Sequence, residues 1–421
     1  MDRYNQLYWL ISEIHTGMPS RRRVLVGATA LLAGSSCTAI TGSAVETAAA
    51  DQAWPMAGYD PAGTRYNSAV SGPVADVEPV WTYNTPSWFH GASSPIRIWD
   101  TLYATGRGMV ALRVEDGTEQ FVRRGPYTSS LAAANAKPYR SPTLAVTSTG
   151  GTYGLNATGG IGIPGIDRGI GSERWHGPPY GEYRPTVSHT PTTNPVVHDG
   201  MVYTPVVGTN DIAAMNASDG SVEWRVTVQE DEVISAEFGR PTIRDGTLFV
   251  ANWPGQVSAY DIKDGTQRWN RDRDDQMQLC TPVTDAGVIV TSRNGVALLD
   301  NEDGEPLWER DLDGNATGGT AAVTDDRVLL SDGNDAFHAL DLGTGESYWS
   351  REFVGESKPV VADDSVYAVE EKRRLRAFDV DSGIERFSYE PEQVPLSPPI
   401  IGDGRLYVTN RRRVLALGEQ S

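Results

Sequence analysis

Lysine is nearly missing from this chain of 421 residues: Lys137, Lys263, Lys358 and Lys372 are the whole set among 36 Lys plus Arg. Set against 55 Asp plus Glu, the basic residues leave a formal net charge of −19. Such an acidic surface, using arginine in place of lysine, stays hydrated where salt screens its self-repulsion, which points to a halophile. It excludes a nucleic-acid partner, because phosphate-backbone binding needs a basic face. The runs EKRRLR and NRRRV are local exceptions, read as solvated hairpin tips. Cysteine is as scarce. With Cys37 and Cys280 alone, the chain has neither a vicinal pair nor a C-x-x-C-H heme motif, and no structural disulfide is expected. The six histidines are scattered without metal-ligand spacing. The phrase DLDGNATGG alternates oxygen side chains, yet Ala316 stands where a calcium loop requires Gly and Ala322 where it requires a closing Glu. Neither a Walker loop nor a G-x-S-x-G elbow occurs, so no catalytic residue and no metal ligand is assigned.

Long apolar runs are lacking too. The longest near the start, Val24 to Ala33, is too short to span a bilayer and reads as part of a signal peptide. It follows Ser20-Arg21-Arg22-Arg23-Val24-Leu25, which resembles a twin-arginine export signal carried by Arg21 and Arg22, and Met18 is the expected true start. Cleavage before Cys37 would leave a lipidated anchor, whereas cleavage after Ala50 would leave a secreted soluble chain. Asn156, Asn216 and Asn315 open N-x-[ST] sequons, glycosylation candidates in an exported protein.

What the chain has in plenty is repetition. The stretch SAYDIKDGTQRWNRD returns as MNASDGSVEWRVT, LLDNEDGEPLWERD, ALDLGTGESYWSRE and AFDVDSGIERFSYE, each with a Trp or Phe four residues after a Gly. Upstream of each copy, short runs of β-branched and aromatic residues are split by Asp-Gly turns, the signature of hairpins. Four antiparallel strands per unit make a propeller blade. Unit starts fall at Ser94, Ser141, Asn194, Arg240, Thr281, Thr320, Lys358 and Ser397, about 38 to 53 residues apart, within the range of one blade. The second unit is degenerate, and GGIGIPGIDRGIG is read as a loop inserted in it. The last unit lacks its Trp strand. VEPVWTYNT, carrying Trp81, supplies that strand from the other end of the chain and closes the ring. The expected organisation is therefore an all-β, eight-bladed β-propeller over 77–421, a lead-in over 51–76, and an export signal with linker over 1–50.

The pattern A-x-D-x-x-x-G-x-x-x-W, as in AYDIKDGTQRW and ALDLGTGESYW, resembles the tryptophan-docking repeat of quinoprotein dehydrogenases. It equally resembles that of their non-enzymatic relatives, including the lipoprotein BamB of bacterial outer-membrane assembly. AWPMAGYDPAGTRYN is similar to the segment preceding the first blade in this superfamily, so the likeness covers about residues 53–421. Trp81, Trp224, Trp269, Trp308 and Trp349 are then expected between blades, each indole N–H bonded to an adjacent turn. The enzymes would imply pyrroloquinoline quinone (PQQ), a bound Ca²⁺ and in many members a vicinal disulfide. The Glu, Asn and Asp of their Ca²⁺ site cannot be matched residue by residue here, although Asn252 beside Trp253 suits a metal-binding Asn and a stacking Trp.

These readings converge on an exported, non-catalytic binding or scaffolding propeller of the cell envelope. It would be monomeric, with a protein partner or an anionic ligand, no cofactor, and membrane contact through a lipid anchor alone. A PQQ- and Ca²⁺-dependent dehydrogenase is the alternative. A polysaccharide or cell-wall binder is the third, suggested by the aromatic insert ERWHGPPYGEYRP. The unit starts should ring one mouth of the central channel, where Arg140, Asn194, Arg240 and Lys358 would receive a carboxylate-bearing ligand.

Overall fold

The computed structural model describes residues 52–89, 93–137, 139–163, 166–177, 193–228, 237–253, 255–273 and 281–420. Arg21, Arg22, Cys37 and Cys280 lie outside them, as does most of the aromatic insert. The described chain forms eight antiparallel sheets, the blades of an all-β propeller. Blade 6 shows the pattern: Ala322–Val323, Arg327–Ser331, Ala336–Asp341 and Ser347–Glu352 pair in chain order. Its three inner strands are apolar and largely buried, because neighbouring blades cover both faces. The outermost strand, SYWSRE, is mostly exposed and buries Trp349. Cores form between blades, as where Phe249 and Trp269 of blade 4 share a cluster with Val288 and Leu299 of blade 5.

Blade 8 takes its outermost strand from the N-terminal side of the chain. Val77–Asn84 pairs antiparallel with Arg413–Glu419, setting Trp81 opposite Ala416. Blade 2 departs from the sequence reading in two ways. Its innermost strand is Ala132–Ala134, so the unit begins at Ser130, and Ser141 falls between the first and second strands. The run Leu-Ala-Ala-Ala-Asn-Ala has almost no β-branched content, and a longer connection replaces the usual Asp-Gly turn, which hid the strand. The glycine-rich stretch is no plain loop: Ile161–Ile163 and Ile166–Ile170 pair as a small extra hairpin.

The lead-in circles the inner strands in blade order. Asp403 N–H of blade 8 donates to Gln52 Oε1 at 2.7 Å. Trp54 exchanges both backbone bonds with Arg97 of blade 1, and Ala133 N–H of blade 2 donates to Pro55 O. Met56 lies in the core cluster that holds Val196 and Val197 of blade 3. Pro61 O, Ala62 O, Thr64 O and Arg65 O then accept from Ile243, Val283, Val323 and Val361, in blades 4, 5, 6 and 7. Tyr66–Asn67 adds a parallel strand to the inner edge of blade 7. These inner-strand N–H groups face the channel, where an unpaired donor would be costly, and the lead-in supplies their acceptors.

Candidate functional site

The repeated tryptophans sit at the joints between blades. Nε1 of Trp81, Trp224, Trp269, Trp308 and Trp349 donates to the carbonyls of Val114, Ile262, Asn301, Leu342 and Val380 in the next blade, at 2.9 to 3.0 Å. Trp175, which the sequence reading did not single out, does the same to Ala217 O at 2.9 Å. Three residues after each acceptor comes the turn glycine, and the neighbouring indole lies flat against it. A Cβ on Gly345 would come within 2.6 Å of the Trp308 ring. The Gly and the Trp of one unit therefore serve different joints. In blade 1, Phe121 takes the tryptophan's place against Gly159.

The channel opens at the start of the inner strands into a cavity of about 560 Å³, floored by Ala57 and Arg65 of the lead-in. Ser94, Asn194 and Lys358 line it, joined by Ser130, the true start of blade 2, and by Lys372 and Glu356. Asn194 Oδ1 accepts from Ser130 N–H at 2.8 Å, and Ser130 Oγ donates to Ser94 O at 3.0 Å, tying three blade starts together. Among the described lining residues three are cations and one is a carboxylate, on a molecule of charge −19. Thr281, Thr320 and Ser397 are buried.

The four residues read as one site are separated. Asn194 and Lys358 share the mouth, whereas Arg240 is buried, donating to Asp60 O at 2.6 Å and so pinning the lead-in. Arg140 lines a different cavity, of about 800 Å³, beside His198 and Asp199. Asn194 precedes the inner strand Val196–His198 and His198 ends it, so the two cavities lie at opposite ends of one strand. Lys372 and Arg65 went unassigned because nothing in a repeat alignment sets them toward the axis. Of the sequon residues, Asn216 lines the larger cavity and Asn156 Nδ2 donates to Gly171 O at 3.3 Å. Asn315 caps a short 3₁₀ turn. In the basic hairpins Arg374 pairs with Glu390 and Arg413 with Glu392, both at 2.7 Å.

The mouth does not fit PQQ with Ca²⁺. Among its described lining residues there is no aromatic ring to stack on a planar quinone, and Glu356 is the one carboxylate. Asn252 is fully buried, its Nδ2 within 3.5 Å of Trp253 O. Among the described residues no group of three His, Cys, Asp or Glu side chains is placed to hold a metal ion.

The family described as outer membrane protein assembly factor BamB matches residues 162–293 and 292–421. The chain belongs to this family. It is 27% identical over 198 residues to BamB of Shewanella oneidensis, covering 42% of this chain and 48% of that protein. It thus spans about half the length of the first curated relatives it matches. In fold it is similar to BamB of Moraxella catarrhalis, with TM-score 0.59 and 14% identity over 82% of this chain and 100% of the other. The quinohemoprotein alcohol dehydrogenase of Comamonas testosteroni gives TM-score 0.66 at 14% identity over 91% and 83%. The BamB-type chain described here shares its ring architecture with both.

Proposed function

We propose that this BamB-family chain is an exported, non-catalytic binding and scaffolding propeller of the cell envelope that receives an acidic segment of a partner at the open channel mouth. One observation carries the reading: a channel floored by the chain's own lead-in opens toward Arg65, Lys358 and Lys372. Charge-assisted hydrogen bonds from ammonium and guanidinium groups to carboxylates are stronger than neutral ones, and the surrounding serines and Asn194 supply further hydrogen bonds. Arg21 and Arg22 would direct export, and Cys37 would carry the lipid anchor.

The test is a photo-crosslinker placed at Lys358 and, separately, at Tyr348 on an outer strand. Envelope adducts at Lys358 alone, lost in Lys372→Ala, support the reading, and equal adducts at both positions refute it. Arg21→Lys with Arg22→Lys should hold the chain in the cytoplasm, and Cys37→Ser should release it to the medium. A dehydrogenase would oxidise alcohols or sugars with an artificial dye once PQQ and Ca²⁺ are added, and no turnover is expected.

A further inference from the structure

The larger cavity exists because blade 2 breaks the repeat. Between first and second strands, blades 1, 3, 4, 5, 7 and 8 have two-residue turns, whereas blade 2 inserts residues 135–142. Residues 135–137 and 139–141 of this insertion form one wall, the blade 3 turn from His198 to Gly200 the other, with Met56 and Pro61 of the lead-in between them.

The wall is built as a platform. Tyr139 is 44% exposed, and the Arg174 guanidinium lies 3.9 Å from its ring centroid. Arg174 is itself fixed, donating to Thr143 Oγ1 at 2.6 Å and to Ser141 Oγ at 2.7 Å. Lys137 and Arg140 flank the ring, and His198, Asn216 and Ser218 bring hydrogen-bonding groups from blade 3. Lysine placement adds an independent signal: three of the chain's four lysines line the two cavities, in a protein that uses arginine almost everywhere else.

An exposed aromatic ring suits the C–H face of a pyranose, neighbouring cations suit a carboxylate, and amide, imidazole and hydroxyl groups suit sugar hydroxyls. At molar salt the repulsion from the net charge of −19 is screened, so an anionic sugar can reach cations at short range. We propose that this cavity binds an acidic, uronate-containing oligosaccharide, at a site separate from the channel mouth.

The test is calorimetric titration of the full mature chain, at constant molar salt, with oligogalacturonate, its carboxyl-reduced neutral counterpart, and inorganic phosphate. Saturable binding of the uronate is expected, at least tenfold weaker for the neutral sugar. Tyr139→Ala and the double variant Lys137→Ala, Arg140→Ala should each weaken it tenfold or more, while Tyr139→Phe and Lys358→Ala leave it unchanged. No uronate binding, equal binding of the neutral sugar, displacement by equimolar phosphate, or indifference to Tyr139→Ala would each overturn the assignment. Loss in Lys358→Ala would move the ligand to the channel mouth and overturn it as well.

Discussion

Replacing Gly345 with Ala tests what a docked tryptophan contributes to a joint. Gly345 has φ +71°, and its Cβ would meet Trp308 at 2.6 Å, while Trp308 Nε1 donates to Leu342 O at 2.9 Å. Gly246 is the matched control, with φ +72° and nothing within 4 Å of the added carbon. Both substitutions bear the left-handed backbone penalty, about 1–2 kcal/mol. Gly345→Ala must in addition displace the indole, which removes a hydrogen bond of about 1 kcal/mol and overpacks the joint by about 1–3 kcal/mol. The expected excess of Gly345→Ala over Gly246→Ala is therefore about 2–4 kcal/mol. Urea unfolding at fixed molar salt, which holds the self-repulsion of the acidic surface constant, measures it. In a Trp308→Phe background the excess should shrink, since the N–H bond is already gone. Equal costs for the two alanines would refute the idea that the turn glycine is there to receive its neighbour's ring.

Arg240→Ala removes a buried charge-assisted bond to Asp60 O and should cost about 1.5–3 kcal/mol, with hydrogen exchange rising first in residues 52–67. Unchanged exchange there would mean that Arg240 does not hold the lead-in. Burial tends to raise the pKa of Asp379, but bonds from Arg386 and Ser382 outweigh it and bring it down to about 2. A depressed carboxylate stabilises the fold above its unfolded pKa, so this contribution, about 1 kcal/mol after solvent screening, is lost as pH falls from about 4 to about 2. Arg386→Ala should flatten that limb of a Tm-against-pH curve, and an unaltered limb would assign the loss elsewhere. Deleting residues 77–85 should expose the Arg413–Glu419 edge and replace one unfolding transition by a broad one, against which a single sharp melt near the parent temperature would count.

The blades were legible because alternation and Asp-Gly turns act locally, within ten residues. Closure was legible from a missing Trp at one end and a surplus one at the other. Blade 2 was misplaced by one strand, because alanine carries little strand preference and an insertion stood where a turn should be. The candidate site was harder to read. Arg240 aligned with Lys358 in the repeat, yet one reaches down to the lead-in and the other lines the mouth, since alignment gives position along a strand but not what fills the space opposite. Trp175 was readable from SERW. Its glycine, Gly220, lies in the next unit, and that pairing across units is invisible until the blades are set side by side.

The lead-in visits all eight blades between Gln52 and Arg65, and this bears on how the gene can change. Tandem repeats gain and lose copies by unequal recombination, and many repeat proteins tolerate such events because each unit contacts its neighbours alone. Here a ninth copy would find no contact left for it on the lead-in, and every later blade would be offered the contact of the one before. A lost copy would leave a surplus loop in the channel. The strap thus acts as a tally against which the copy number is checked, so lineages of this protein should diverge by substitution and by loop insertion, as blade 2 has done, while holding the count at eight.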